Sequence, residues 1–329
     1  MKKINELITN AKRIVVLQAD NPDGDSLSSS LALEHILGDM GKDVSMYCGV
    51  DIPGYLRYLE GWDRIVSSLP TNFDLSIILD TPSLMLFETL QKDNQISWLS
   101  SKPCVVLDHH QTEPDIDFAT VTHSPKAVAT TEVIYELSKH FGWPINAQAA
   151  EFLISGILSD SLGLTTEDVS AKSIRAVADL VDKGVNLAEL DSRRRKLQKK
   201  SPRILEYKGK LLGRIEYEAD QSIAIILIPW EEIEKFSHEY NPPMLVLDEM
   251  RQVEKVKTAI AFKLYPDGRI TAKIRSNFGS PIAAKLAEHF GGGGHKYASG
   301  FRITDGRSYD KVKEQTIKIT QDLLEKSLK

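Results

Sequence analysis

The chain has 329 residues, of which 42% are hydrophobic and 26% charged, and its net charge is −5 at pH 7. This length exceeds what one hydrophobic core usually supports, so we expect two domains. The composition excludes a disordered or fibrous protein, and the acidic balance argues against a protein that holds long nucleic acid by its overall charge. The composition and charge are compatible with a short or small phosphorylated substrate.

Cys48 and Cys104 lie in apolar, strand-like runs and have no partner at metal-ligand spacing. This pattern predicts buried structural thiols rather than a disulfide framework or a zinc site. The N-terminal residues lack a signal-type apolar core, and no apolar run is long enough to cross a membrane. We therefore expect a cytoplasmic protein without a membrane partner.

The first half of the chain alternates short β-branched runs with amphipathic stretches. This pattern is typical of an α/β domain with a doubly wound parallel sheet, covered by helices on both faces. The predicted strands are residues 13–17, 43–48, 75–79, 103–107 and 118–122. The predicted helices are residues 26–40, 130–141 and 147–159.

Charge becomes dense at the basic run 193–196 and the lysine pair 199–200. We place the domain junction here, with residues 1–187 as the first domain, 188–210 as the linker and 211–329 as the second domain. A solvated linker helix is the ordinary interpretation of such a basic run, and a phosphate-attracting wall of a cleft is the alternative.

The second half mixes strands with a few helices, which predicts a smaller α+β domain. The predicted strands are residues 213–217, 222–229, 257–265 and 269–275, with Pro266-Asp267-Gly268 as a hairpin turn between the last two. A helix is expected over residues 282–290. Ser280 and Pro281 are the predicted N-cap and first residue of this helix, and the glycines 291–294 are predicted to end it.

Acidic and histidine residues stand where predicted strands and one helix end: Asp23, Asp25, Asp80, Asp108, His109, His110 and Asp160. Since the carboxyl ends of parallel strands open into one crevice, we expect these side chains to gather there. Carboxylates brought together repel one another, and a set with imidazoles among them suits Mn²⁺ or Mg²⁺. Any one of these aspartates taken alone is more often a helix N-cap or a turn residue.

In this order, Asn21-Pro22-Asp23-Gly24-Asp25, Asp80, Asp108-His109-His110 and Asp160 resemble the four motifs of the DHH phosphoesterase superfamily. Lys273-Ile274-Arg275-Ser276 and the run 291–300 resemble the two signatures of the associated DHHA1 domain. Chain length and Thr130-Thr131-Glu132 resemble the nanoRNase (oligoribonuclease) and pAp-phosphatase branch. The resemblance implies a catalytic DHH domain, a substrate-binding DHHA1 domain and a cleft between them.

The resemblance also implies roles for individual residues. The ligands of one Mn²⁺ or Mg²⁺ ion would be Asp25, Asp80, His109 and Asp160. A second ion would take Asp23 and Asp80, and His110 would face the phosphate as a hydrogen-bond donor or general acid. The implied substrate-binding residues of the second domain are Arg275, Ser276, Gly292, Gly293, Gly294 and His295.

The first motif departs from the family, which usually has a histidine where this chain has Ala19. An alanine cannot bind metal, so the second ion would keep only Asp23 and Asp80, unless Gln18 or Asp20 reaches in. We therefore expect two ions, with the second site weakened.

These features predict a metal-dependent hydrolase, an exonuclease acting on short RNA or DNA oligonucleotides or on the bisphosphate nucleotide pAp. A terminal-phosphate pocket at Arg275 and His295 would favour short substrates. The alternatives are a phosphodiesterase for cyclic or linear dinucleotides, a longer-chain exonuclease, an inorganic pyrophosphatase, and a nucleotide-binding protein that lost turnover with Ala19. A homodimer is implied by the resemblance alone.

Overall fold

The computed structural model describes residues 1–110, 115–197 and 199–327. The chain divides into two compact units, Met1–Lys199 and Lys200–Lys329. The division falls inside the range predicted as a linker. Much of that range is helical. It contains most of the last helix of the first unit and most of the first helix of the second unit.

The first unit is built on a parallel sheet, whose described strands have the order β2-β1-β3-β4-β5. These strands are β1 (Arg13–Gln18), β2 (Asp43–Tyr47), β3 (Leu75–Leu79), β4 (Cys104–Leu107) and β5 (Val121–His123). The helices around them are α1 (Lys2–Asn10), α2 (Gly24–Asp39), α3 (Glu88–Lys92), α4 (Ile96–Leu99), α5 (Thr130–Phe141), α6 (Ala147–Asp160), α7 (Ala171–Val181) and α8 (Leu187–Leu197). The predicted α/β fold is confirmed.

Strand β1 shows why the strands of this sheet consist almost entirely of apolar residues. Ile14 and Val16 pack into one core, which also takes in residues of α2, α5 and α6. Val15 and Leu17 point to the opposite face and pack into a second core. Both faces of the sheet are therefore buried, as expected of a parallel sheet between layers of helices.

The fifth predicted strand was placed too early in the chain. Residues 117–118 form a turn, closed by a hydrogen bond from the Ala119 amide to the Ile116 carbonyl at 3.0 Å. Strand β5 begins only at Val121 and pairs with β4.

The second unit has a mixed sheet with the described strand order β10-β11-β9-β8-β7-β6. Its strands are β6 (Glu216–Glu218), β7 (Ile223–Ile228), β8 (Thr258–Leu264), β9 (Ile270–Ser276), β10 (Gly293–His295) and β11 (Ala298–Ile303). Its helices are α9 (Pro202–Leu212), α10 (Trp230–Phe236), α11 (Leu247–Arg251), α12 (Ala283–Glu288) and α13 (Tyr309–Ser327). Only the β7–β8 pair is parallel among the described pairs, which confirms the predicted α+β domain.

The glycine-rich end of this unit differs from the sequence prediction. Helix α12 has Ile282 as its N-cap, so Ser280 and Pro281 precede the helix rather than cap it. Gly291, with φ of 71°, does follow the helix end. Gly293 and Gly294 belong instead to strand β10, which pairs with β11. Among the described residues, no helix is both long and apolar enough to span a membrane.

Candidate metal centre and anion pocket

Most of the carboxylates and histidines predicted to gather lie together in the first unit. Asp80 directly follows β3, His109 and His110 follow the neighbouring strand β4, and Asp160 is the last residue of α6. Two groups have ligand atoms that all lie within 4.8 Å of one another: Asp80, His109 and His110; and Asp25, His109 and Asp160. His109 belongs to both groups, so they form one site.

The imidazole of His109 is held between a carbonyl and two carboxylates. Its Nδ1 lies 3.3 Å from the Ala127 carbonyl oxygen. Its Nε2 lies 3.2 Å from Asp160 Oδ2 and 3.5 Å from Asp80 Oδ1. A hydrogen bond from Nδ1 to a carbonyl leaves Nε2 directed at the site, an arrangement typical of metal-binding histidines.

Asp25 is fully buried and is held by the start of another helix. Its carboxylate accepts hydrogen bonds from the amides of Thr130, at 2.6 Å, and Thr131, at 3.1 Å, and from the Thr131 hydroxyl, at 2.7 Å. These threonines begin α5, whose own N-cap residue, Ala129, offers no side-chain hydrogen bond. The negative charge of Asp25 thus satisfies the N-terminal amides of α5 and lies at the positive end of its dipole.

Asp80 has a backbone conformation that most residues avoid, with φ of 58°. Its amide donates to the Leu107 carbonyl at 3.0 Å, and its Oδ1 accepts from the Thr130 hydroxyl at 2.9 Å. Left-handed conformations are costly for residues other than glycine, asparagine and aspartate, and they concentrate at functional sites. This conformation accompanies the placement of the carboxylate beside His109 and His110.

The electrostatics of the site fit a divalent cation. Burial and the charge of Asp160 raise the pKa of Asp25 to about 7. Burial and the charge of Asp25 likewise raise the pKa of Asp80 well above its ordinary value. Burial by itself lowers the pKa of His109, but its hydrogen bond to Asp160 and the surrounding carboxylates raise it to about 9. Without a metal, one imidazolium charge on His109 faces several carboxylates. A divalent cation bound to these oxygen and nitrogen ligands would take the place of that proton and offset more of the negative charge.

Asp23 lies outside both groups, and its predicted role as a ligand is not part of this arrangement. Its Oδ1 caps α2 by accepting the amides of Asp25 and Ser26, each at 3.0 Å. Asp20 is also directed elsewhere, since its carboxylate accepts the Thr89 amide at 2.7 Å. The geometry therefore supplies one ligand set, with the positions before Asp25 used for structure.

His110, the predicted catalytic residue, is oriented by a buried carboxylate. Its Nδ1 lies 2.7 Å from Asp108 Oδ1. The ring is partly exposed, with 27% of the side chain accessible, and it borders the metal ligands through Asp80. Since Nδ1 is engaged by Asp108, proton transfer by this ring would use Nε2.

We expect a Thr131→Val variant to bind Mn²⁺ about 10- to 100-fold more weakly, because it removes a hydrogen bond that orients Asp25. Thr131→Ser keeps the hydroxyl and should retain most of the affinity. Titration calorimetry of both variants against the wild type measures this difference. Equal affinity in the valine variant would show that the Thr131 hydroxyl does not support the metal site.

A family comparison agrees with this geometry. The model of the DHH family, N-terminal domain, matches residues 13–157. Over these residues the chain is similar to that family. The match contains Asp25, Asp80 and His109, and it ends three residues before the last predicted ligand, Asp160.

Two curated relatives match most of the chain. The bifunctional oligoribonuclease and PAP phosphatase NrnA of Thermus thermophilus is 26% identical over 308 residues, which cover 92% of this chain and 88% of that protein. The protein of the same name from Bacillus subtilis is 23% identical over 304 residues, covering 91% of this chain and 92% of the relative. The predicted resemblance to the DHH superfamily and to this branch is confirmed.

Solved structures show the same fold. An exopolyphosphatase-related protein from Bacteroides fragilis matches with a TM-score of 0.86 at 23% identity, covering 98% of this chain and 97% of that chain. RecJ from Thermus thermophilus, solved in complex with Mn²⁺, matches with a TM-score of 0.54 at 18% identity, covering 98% of this chain and 54% of that one.

The unit that follows the DHH domain has a cavity of about 710 Å³ on one face of its sheet. Alternation along β9 places Thr271, Lys273 and Arg275 at this cavity, while the residues between them face the core. Lys263 on the neighbouring strand β8 and His295 on β10 line the same cavity. The structure therefore brings Arg275 and His295 together, as predicted.

The floor of this cavity is made of small residues. Gly300 pairs with Lys273, and Gly293 pairs in turn with Gly300. A Cβ at Gly293 would meet no atom within 4 Å, whereas one at Gly292 would lie 2.3 Å from the Gly300 carbonyl oxygen. One at Gly294 would lie 2.6 Å from a carbonyl oxygen of β11. Close strand pairing thus requires Gly292 and Gly294, and Gly293 leaves the backbone open to a ligand.

The walls of the cavity carry positive charge that the described carboxylates do not pair with directly. Burial and the charge of Lys273 lower the pKa of Lys263 to about 8. Burial and the charge of Arg275 lower the pKa of Lys273. In the described ranges, neither lysine forms an ion pair, so an anion would relieve this repulsion. Sequence analysis missed both lysines, although Lys273 stands two residues before Arg275 in an alternating strand.

Ser276 is predicted to bind substrate, but the structure places its side chain away from the cavity. Its side chain is buried, and its hydroxyl lies 3.2 Å from that of Thr258 on β8. Residues of a strand alternate between faces, so Ser276 cannot share the face of Arg275. It stabilises the β8–β9 pair and does not line the cavity.

Proposed function

We propose that this protein is a metal-dependent phosphoesterase that hydrolyses short oligonucleotides and the bisphosphate nucleotide pAp. The observation that carries the proposal is the pair of ligand groups that share His109, one with Asp80 and His110 and the other with Asp25 and Asp160. Such a cluster of carboxylates and imidazoles suits a divalent cation. The cationic cavity at Arg275 adds a site for a phosphoryl group. The printed names of the relatives, oligoribonuclease and PAP phosphatase, supply the substrate class.

In this proposal each residue of the centre has a defined task. His109, Asp25, Asp80 and Asp160 hold the cation, and Thr130 and Thr131 fix two of the carboxylates. When bound, a divalent cation activates a water molecule and neutralises charge on the phosphoryl oxygens. His110, oriented by Asp108, donates a proton or hydrogen bond to the leaving oxygen through Nε2.

We further propose that one Mn²⁺ or Mg²⁺ ion binds tightly and that a second binds weakly. Ala19 offers no ligand atom, and Asp23 caps α2. Calorimetric titration of the wild type with Mn²⁺ should give one tight equivalent, and an Ala19→His variant should add a second. Two tight equivalents in the wild type would contradict this proposal.

The experiment that tests the proposed function is hydrolysis of a labelled dinucleotide and of pAp with Mn²⁺. Turnover of either substrate supports the enzyme. The second candidate, a nucleotide-binding protein without turnover, is favoured by Ala19 alone; nucleotide binding without hydrolysis of any substrate would establish it. The cytoplasmic location and the homodimer stay predictions.

Substrate affinity should depend on pH through Lys263. Below its pKa of about 8 this lysine is charged and attracts a phosphoryl group, and above it the attraction is lost. We expect KM to rise roughly five- to tenfold between about pH 7 and 9. Lys263→Met, which is neutral throughout, should have a high KM at both pH values, while the exposed Lys318→Met control keeps the wild-type profile. If KM of Lys263→Met rises with pH as it does in the wild type, a group other than Lys263 causes the pH dependence.

A further inference from the structure

The DHH domain has a second cavity, of about 620 Å³, directly beside the metal centre. Ligand pockets usually fall in the range of about 300–1,000 Å³. Asp23 and Gly24, next to Asp25, and Ser159, next to Asp160, line this cavity. The two chain segments that carry metal ligands therefore also form one of its walls.

These two segments touch closely at the cavity wall. A Cβ at Gly24 would lie 2.1 Å from the Ser159 hydroxyl oxygen, so α2 and α6 meet without space between them. Asp25 and Asp160 are the residues that follow Gly24 and Ser159, so this wall of the cavity adjoins two of the candidate metal ligands.

The remaining walls combine aromatic and apolar residues with a few polar ones. Tyr55 is 53% exposed and Leu162 is 70% exposed, and both line the cavity. Tyr55 lines the same cavity as Asp23 and Gly24 of the segment that carries Asp25. Arg194, held by Asp191 at 2.7 Å, lies at the same cavity and presents a planar guanidinium. Aromatic rings and guanidinium planes are the surfaces on which unpaired bases stack.

We propose that this cavity binds the nucleobase of the nucleotide whose phosphate lies at the metal centre, with Tyr55 as the stacking platform. The proposal rests on the proposed function and deepens it. Stacking on a tyrosine ring is open to every base, so we expect recognition to tolerate base identity and to be strongest for the larger purines.

Dinucleotides with an abasic residue at one or the other position test the proposal. For the wild type, removal of the base at one position should raise KM about 10- to 100-fold with little change in kcat. Tyr55→Ala should raise KM for the intact dinucleotide similarly, and the abasic substrate should then cost little more, because both changes remove the same contact. Tyr55→Phe keeps the ring and should retain the wild-type KM.

The matched control is Tyr217→Ala, which removes an exposed tyrosine of the second unit and should leave KM unchanged. An unchanged KM in Tyr55→Ala, or additive effects of the variant and the abasic substrate, would overturn the pocket. Equilibrium binding of AMP tests the base pocket independently of the proposed hydrolytic function. Weaker AMP binding by Tyr55→Ala supports the pocket even if no substrate is hydrolysed, and equal binding by both proteins overturns it.

Discussion

Replacing Asp80 by asparagine is expected to lower kcat/KM for dinucleotide hydrolysis by roughly a thousandfold. Asp80 Oδ1 lies 3.5 Å from Nε2 of His109, the residue that both ligand groups share. The amide keeps the shape of the side chain but removes the negative charge, so the cation loses one of its anionic ligands. Calorimetry should show the loss of the tight Mn²⁺ equivalent alongside the loss of turnover.

Asparagine is the informative substitution because Asp80 has φ of 58°. Asparagine tolerates this left-handed conformation, whereas alanine would add backbone strain and confuse loss of metal with loss of stability. The control is Asp182→Asn, which neutralises an exposed carboxylate of the same unit. Wild-type kcat/KM in Asp80→Asn would exclude this cluster as the catalytic metal site.

Arg275→Gln is expected to raise KM for a dinucleotide about 10- to 100-fold, with a smaller effect on kcat. Charged hydrogen bonds of the kind a guanidinium makes to phosphate contribute about 1.5–3 kcal/mol. The guanidinium is oriented for this role, since its Nη1 donates to the Ile274 carbonyl at 2.9 Å. Arg275→Lys keeps the positive charge but loses the two-pronged hydrogen bonding of the guanidinium. Its KM should lie between those of the wild type and Arg275→Gln.

The same variant tests whether the second unit selects short substrates. If Arg275 binds a terminal phosphate, Arg275→Gln should lose most of the preference for dinucleotides over longer chains, measured as a ratio of kcat/KM values. Lys318→Gln removes an exposed charge from the same unit and should leave the ratio unchanged. If Arg275→Gln keeps the preference for dinucleotides, Arg275 does not take part in selecting short substrates.

Sequence reasoning located most of the metal site because its signals are local. Strands β3 and β4 are largely apolar runs; Asp80 directly follows the first, and Asp108, His109 and His110 follow the second. Parallel pairing of neighbouring strands then brings their carboxyl ends together without further information. The errors were also local: the glycine run has the composition of a loop, and only its pairing with β11 makes it strand β10.

The sequence by itself determined the α/β and α+β organisation and the types of ligand at the metal site, because alternation, strand length and residue chemistry are properties of short segments. Only the tertiary structure showed which aspartate lies with His109 and Asp160 and which one caps a helix. Asp25 is fixed by Thr130, a residue 105 positions away, and Asp23 by its own helix. Such contacts depend on how distant segments pack, and burial at those contacts, not residue type, sets their charges.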